Sequence, residues 1–132
     1  MQTFLPYMSF EKSAKCLDYR RLGKQRVEAK QILDILNGKT SRWENHPAVN
    51  MWRGYEDALA LYVNEMIKEW IFRGYVNNME LINVDGQPEM PKWIGNEKFH
   101  ASHRSNLLRK NKEFYRRYNW EEEDNLPYEW NR

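Results

Sequence analysis

Residues 18–36, DYRRLGKQRVEAKQILDIL, decide the fold. At 100° per residue, Leu22, Ala29, Ile32, Leu33 and Leu36 fall on one face, an apolar stripe that belongs in a core. Stepping by four, Arg20, Lys24 and Glu28 form a ladder beside that stripe, and Arg21 lies within about a fifth of a turn of Glu28. A carboxylate thus sits among three cations. Taken alone, such a strip reads as a solvated helix face, each pair contributing about a few tenths of a kcal/mol. The rest of the chain gives it another meaning.

Around this helix the pattern stays helical. Asn37-Gly38 ends it with a left-handed C-terminal signal. Gly23, in its first turns, costs about 1 kcal/mol relative to alanine and implies close approach of another backbone or a phosphate. Upstream, Met1–Met8 is extended and apolar, and Ser9 caps a short helix to about Cys16. Downstream, Pro47 opens a helix expected to run to about Phe72, ended by Arg73-Gly74. Its acidic residues mark a side turned away from nucleic acid. Residues 75–91 read as an extended piece and a turn, and Asn96 caps a helix through Lys110. A further short helix follows over Lys112–Tyr118, and the tail is acidic and then aromatic. Trp120, Tyr128 and Trp130 are assigned to the core. The expected architecture is all-α, one compact domain over residues 1–132 around a long central helix.

At 132 residues the chain can bury about two-thirds of its unfolded surface. Its only cysteine, Cys16, excludes an internal disulfide and multi-thiolate zinc sites, and is expected to be a small buried hydrophobe. No apolar run is long enough to span a bilayer, and the N-terminus lacks a secretion-signal layout. A cytoplasmic protein without membrane association, monomeric, is the expectation.

The net charge of +2 hides a strong division. Residues 9–53 carry ten Lys/Arg against five Asp/Glu, and 92–118 carry eight against two. The intervening 54–91 carry two against seven, and 119–132 one against five. If the basic blocks share a face, the molecule has a phosphate-binding side. The second basic block supplies a polar group of His100, His103, Arg104, Ser105, Asn106, Arg109 and Lys110. Of this group His100, Arg104, Asn106, Arg109 and Lys110, with Arg20, Lys24 and Arg26 from the long helix, are the candidate contacts to duplex DNA. His46 stands before a helix start, where a cap is the ordinary role, and is carried as a further DNA contact. His100 and His103 are three apart on a helix, but no HExxH motif, cysteine pair or acidic ligand completes a metal site. No metal or cofactor is expected.

Several stretches resemble the bacterial and phage branch of the pyrimidine dimer DNA glycosylase family, whose founding member is phage endonuclease V. They are MQTFLPY (1–7), CLDYRRLGKQRVEA (16–29), NHPAVNMWRGYE (45–56), PKWIG (91–95), FHASHRSNLLRK (99–110) and LPYEW (126–130). The resemblance implies a cofactor-free, all-α DNA repair enzyme that removes a damaged pyrimidine and then cleaves the strand. It implies an N-terminal amine as nucleophile, assisted by a helix glutamate. An α-amine, with a pKa of about 7.7–8.0, is far more often neutral at physiological pH than a lysine. The founder's nucleophile is a threonine exposed by Met removal. Here position 2 is the bulky Gln2, so Met1 is expected to stay and act. The founder's glutamate position, after DYR, is Arg21, which leaves Glu28 as acid/base; Arg21 and His103 complete the candidate catalytic set. Two rivals share the fold: a glycosylase or base-altering enzyme for modified pyrimidines, and a non-catalytic binder of distorted duplex.

Overall fold

The computed structural model describes residues 1–130. Its regular elements are α1 (Phe10–Cys16), α2 (Tyr19–Leu36), α3 (Pro47–Asn50), α4 (Glu56–Phe72), α5 (Glu97–Lys110) and α6 (Lys112–Tyr115), with a 3₁₀ turn at Arg116–Tyr118. Among the described residues there is no β-sheet or paired β-strand, and the segment before α1 lies single with no strand partner, so the all-α expectation holds. None of these helices is long and apolar enough to cross a membrane.

The local signals act where the sequence puts them. Ser9 Oγ accepts the Lys12 N–H at 3.1 Å, and Asn96 Oδ1 accepts that of Lys98 at 3.1 Å. At the end of α2, Gly38 takes φ +113°, and the Lys39 N–H reaches back to the Asp34 carbonyl at 3.0 Å, a closure that favours glycine. α2 then lays Leu22, Ala29, Ile32 and Leu33 against α4, which buries Leu59, Tyr62, Val63, Met66 and Ile67.

The structure corrects three expectations. The helix expected over residues 47–72 is two helices, because the chain turns through Gly54 at φ +90°. The turn swings Trp52 fully into the core, where its Nε1–H donates to Thr3 Oγ1 at 3.0 Å. Gly23 is approached by neither backbone nor phosphate but by the Trp70 indole: a Cβ there would lie 2.8 Å from the ring. α5 is not a polar face. Nine of its residues are buried, among them the polar His100, Ser102, His103, Arg104, Ser105 and Asn106, while Glu97, Lys98, Arg109 and Lys110 at its two ends stay exposed. In the tail, Trp120, Tyr128 and Trp130 are all half-buried and pack against the edge of the core; Trp120 stacks on Tyr115 and donates to the Tyr7 hydroxyl, and Tyr128 also borders a surface cleft.

Residues 75–91 cross the surface with no regular structure, tied down by side chains. Asn64 pairs with both backbone groups of Ile82, and Trp70 Nε1–H donates to the Val76 carbonyl. Cys16 is buried, and burial pushes its thiol up to about 12, so it packs as a hydrophobe.

Gly23→Ala improves helix propensity by about 1 kcal/mol but drives a methyl into Trp70. The expected outcome is a net loss of about 1–3 kcal/mol in urea denaturation, relieved when Trp70 is also cut to leucine. Stabilisation by the single change would show that the indole yields freely.

Candidate active site

The N-terminal segment, extended and buried from Gln2 to Pro6, builds the site. An unpaired buried backbone has to find partners, and here they are side chains. Glu28 Oε1 accepts the Gln2 N–H at 2.9 Å. Gln25 accepts the Phe4 N–H at 2.8 Å and donates to the Gln2 carbonyl at 2.9 Å. The Tyr62 hydroxyl lies 2.8 Å from the Phe4 carbonyl. His103 Nδ1 accepts the Leu5 N–H at 2.9 Å, and His100 Nδ1 donates to the Leu5 carbonyl at 2.8 Å. Arg104 donates to the Pro6 carbonyl at 2.7 Å.

This clamp sets residue 1 beside Glu28. The Met1 ammonium is 3.5 Å from Glu28 Oε1, the atom that also holds the Gln2 N–H. Two clefts, each of about 440 Å³, meet at this pair, sharing Met1, Lys24 and Glu28 as a common wall. One is cationic: Arg20, Arg21 and Lys110 line it beside Tyr128. Partial burial lowers the pKa of the Lys110 ammonium, helped by Arg21, Arg109 and Lys24. The two basic blocks therefore do meet on one side, through α2 and the end of α5.

The candidate residues divide cleanly. Met1, Glu28, Arg20, Arg21, Lys24 and Lys110 come together at the clefts, with Arg21 held by Asp18 at 3.1 Å. Arg109 is exposed near them, its guanidinium reaching the Asp124 carbonyl. Arg26 lies on the other flank of α2, over the Trp70 ring and bonded to Asn77 at 2.7 Å. His46 caps α3 by accepting the Ala48 N–H at 3.0 Å. It is near enough for Met1 and Glu28 to influence it, although burial is the main cause of its lowered pKa.

His100, His103, Arg104 and Asn106 are not at the surface at all. His103, fully buried, holds the strand from behind and does not line either cleft. His100 also accepts the Gly95 N–H at 3.0 Å. Arg104 is neutralised by Glu97 and Glu122, and Asn106 donates to the Ser102 and Leu126 carbonyls. Three of these side chains, His100, His103 and Arg104, hold the backbone of the N-terminal segment from inside. Among the described residues no group of three or more His, Cys, Asp or Glu side chains gathers as a metal site.

Sequence reasoning missed Gln25, and it placed Tyr128 in the core without a signal for the cleft it borders. Gln25 carried a readable signal: it sits between Leu22 and Ala29 on the apolar stripe, where a polar side chain needs a buried partner. Tyr128 had none, because its position depends on where the tail folds back.

Residues 1–83 match the family model described as pyrimidine dimer DNA glycosylase. The chain belongs to the pyrimidine dimer DNA glycosylase family. No curated protein and no solved structure matches it. The glycosylase match spans the N-terminal strand and α1 to α4, and so contains Met1, Glu28 and the Arg20–Lys24 strip. It stops before α5, which supplies the histidine half of the strand clamp and Lys110.

Because His103 accepts the Leu5 N–H, it must be neutral in the folded chain, and burial with the neighbouring His100 lowers its pKa to about 3. Unfolded, it titrates near about 6.5. Its contribution is therefore complete above that value and lost as pH falls through the window toward 3. Burial lowers His100 in the same direction. Stability should drop between pH 6.5 and 5 by up to about 1.4 kcal/mol per pH unit through His103, with His100 adding in the same direction. Urea melts across that range, above most carboxylate titration, check this; a flat profile would contradict neutral, strand-holding histidines.

Proposed function

We propose that this member of the family is a DNA glycosylase with AP-lyase activity, in which the Met1 α-amine attacks C1′ of a damaged pyrimidine nucleotide and Glu28 handles the protons. The observation that carries this reading is the Met1 ammonium 3.5 Å from Glu28 Oε1, at the junction of two clefts and beside four cations. Glu28 accepts a proton from the ammonium and frees the nitrogen lone pair. The nitrogen bonds to C1′ as the C1′–N1 bond breaks, and the base departs with its electron pair and takes the proton from Glu28, which becomes a carboxylate again. A proton then passes from the nitrogen to O4′ as the sugar ring opens, which leaves a protonated imine between Met1 and C1′. Loss of a C2′ proton to Glu28 then expels the 3′ phosphate and cuts the strand.

Arg20, Lys24 and Lys110 supply the phosphate contacts. Arg21 is shared between Asp18 and the cleft, and acts on the phosphate or on charge developing at the departing base. The histidines and Arg104 serve indirectly, by holding the strand that carries the nucleophile.

Borohydride reduction in the presence of irradiated or abasic duplex should link DNA to the peptide that begins at Met1, located by mass mapping. Glu28→Gln should slow trapping by about a hundredfold or more. No adduct with abasic duplex would sink the amine mechanism.

Arg20→Ala and Lys24→Ala should each weaken binding on every sequence and reduce the salt slope by roughly one. A slope unaltered in both would remove these residues from the interface.

A further inference from the structure

Gln2 stands next to the amine and is almost fully paired. Its N–H donates to Glu28 Oε1 at 2.9 Å, its carbonyl accepts from Gln25 at 2.9 Å, and its side-chain Oε1 accepts the Thr3 N–H at 2.8 Å. The last bond fixes which end of the carboxamide is the oxygen. Only the side-chain NH2 is left over. Gln2 is 7% exposed, and its Nε2, shut from water, meets no acceptor among the described residues. An amide buried without a partner destabilises a fold, so this one asks for an acceptor that the free protein does not supply.

The amide lies on the cleft side of the strand. Gln2 lines the cationic cleft together with Met1, Glu28 and Tyr128. Burial raises the pKa of the Tyr128 hydroxyl while Arg109 and the Gln2 amide oppose the rise, so the amide is near that hydroxyl without bonding to it. The wall of cations therefore contains one uncharged donor, placed one residue from the nucleophile. Attack by the Met1 nitrogen at C1′ decides what comes near it. In a pyrimidine the C2 carbonyl stands on the carbon bonded to N1, the atom that leaves C1′. As the C1′–N1 bond breaks, negative charge gathers on N1 and on this carbonyl oxygen. We infer that the Gln2 side-chain amide donates a hydrogen bond to the C2 carbonyl oxygen of the departing pyrimidine and stabilises the charge left on it. The assignment rests on the amine reading above. Met1 is bonded to Gln2 and walls the same cleft, so its movement from Glu28 onto C1′ opens the amide to the base. A buried, preorganised donor acts most strongly where charge develops, whereas a phosphate is already ionised and has Arg20, Arg21, Lys24 and Lys110 to meet it. Saturation or cross-linking of the ring at C5 and C6 leaves the C2 carbonyl in place, so the donor suits a damaged pyrimidine whose ring is no longer aromatic. Gln2 is thus a catalytic residue for departure of the base and has no part in the later elimination.

The test uses the full-length chain with Gln2→Met and Gln2→Glu, both of which keep a bulky second residue and so keep Met1. Each is assayed for glycosidic cleavage of irradiated duplex and for borohydride trapping on abasic duplex, which has no base to release. Gln2→Met should lower the ratio of the first rate to the second by about a hundredfold. Gln2→Glu keeps the acceptor for Thr3 but loses the donor, and should show the same selective loss. An equal fall on both duplexes, or no fall on either, would overturn the assignment. So would a wild-type ratio in Gln2→Glu, which would trace the loss to the Thr3 bond. Should wild-type protein trap neither DNA, the amine reading fails separately, and binding alone decides the donor. The Gln2 side-chain amide protons, identified by their absence from the Gln2→Met spectrum, should then move downfield in NMR spectra with irradiated and not with abasic duplex; equal shifts, or none, would again overturn it.

Discussion

The structure depends on burying an extended strand that has no sheet to join. Gln2 to Pro6 lie in the core, and each buried amide or carbonyl left unpaired would cost about 1–3 kcal/mol. The helices satisfy them with Glu28 and Gln25 from α2, Tyr62 from α4, and His100, His103 and Arg104 from α5. These bonds tie three helices to one strand and so set where α5 can dock. They also fix residue 1 in space, so the core's hydrogen-bonding problem and the placement of the Met1 amine beside Glu28 have the same solution.

That dependence explains what the sequence shows and what it hides. The helices were legible because capping and periodicity are local: Ser9, Asn96 and Gly38 act within a few residues of themselves. The Arg20–Lys24–Glu28 ladder was legible for the same reason. The polar residues of α5 were not. His100 and His103 bond to Leu5, almost a hundred positions away, and a helix pattern that counts them as polar cannot tell a buried backbone partner from water. The break at Gly54 was hidden likewise, because the turn answers to the docking of Trp52 on Thr3. Gln25 lies between these cases: its anomaly was visible, its partner was not.

The charge blocks follow a similar logic. The acidic tail folds over α5 and α6, where Glu122 neutralises Arg104 and Asp124 pairs with Lys112 at 3.0 Å. Arg104 and Lys112 of the second basic block are thereby paired, and Lys110 with Arg109 stands beside the α2 cations. The cationic face at the cleft is therefore narrower than the counts of Lys and Arg imply. It is centred on the N-terminal half of α2, with the end of α5 as its far edge.

The strand's direction decides which carboxylate the amine can use. Gln2 bonds to Glu28 while Phe4 bonds to Gln25, so the strand runs antiparallel to α2 and residue 1 lies toward the helix C-terminus. Position 21 and Glu28 are seven residues apart, which returns to within about 20° of the same direction roughly 10 Å along the axis. A carboxylate at position 21 would share Glu28's stripe and still lie two turns from the amine. One strand residue spans only about 3.3 Å, so adding or removing a single N-terminal residue could not close that distance. In this register Glu28, and not position 21, lies beside Met1, while Arg21 lines the cationic cleft with Arg20 and Lys24.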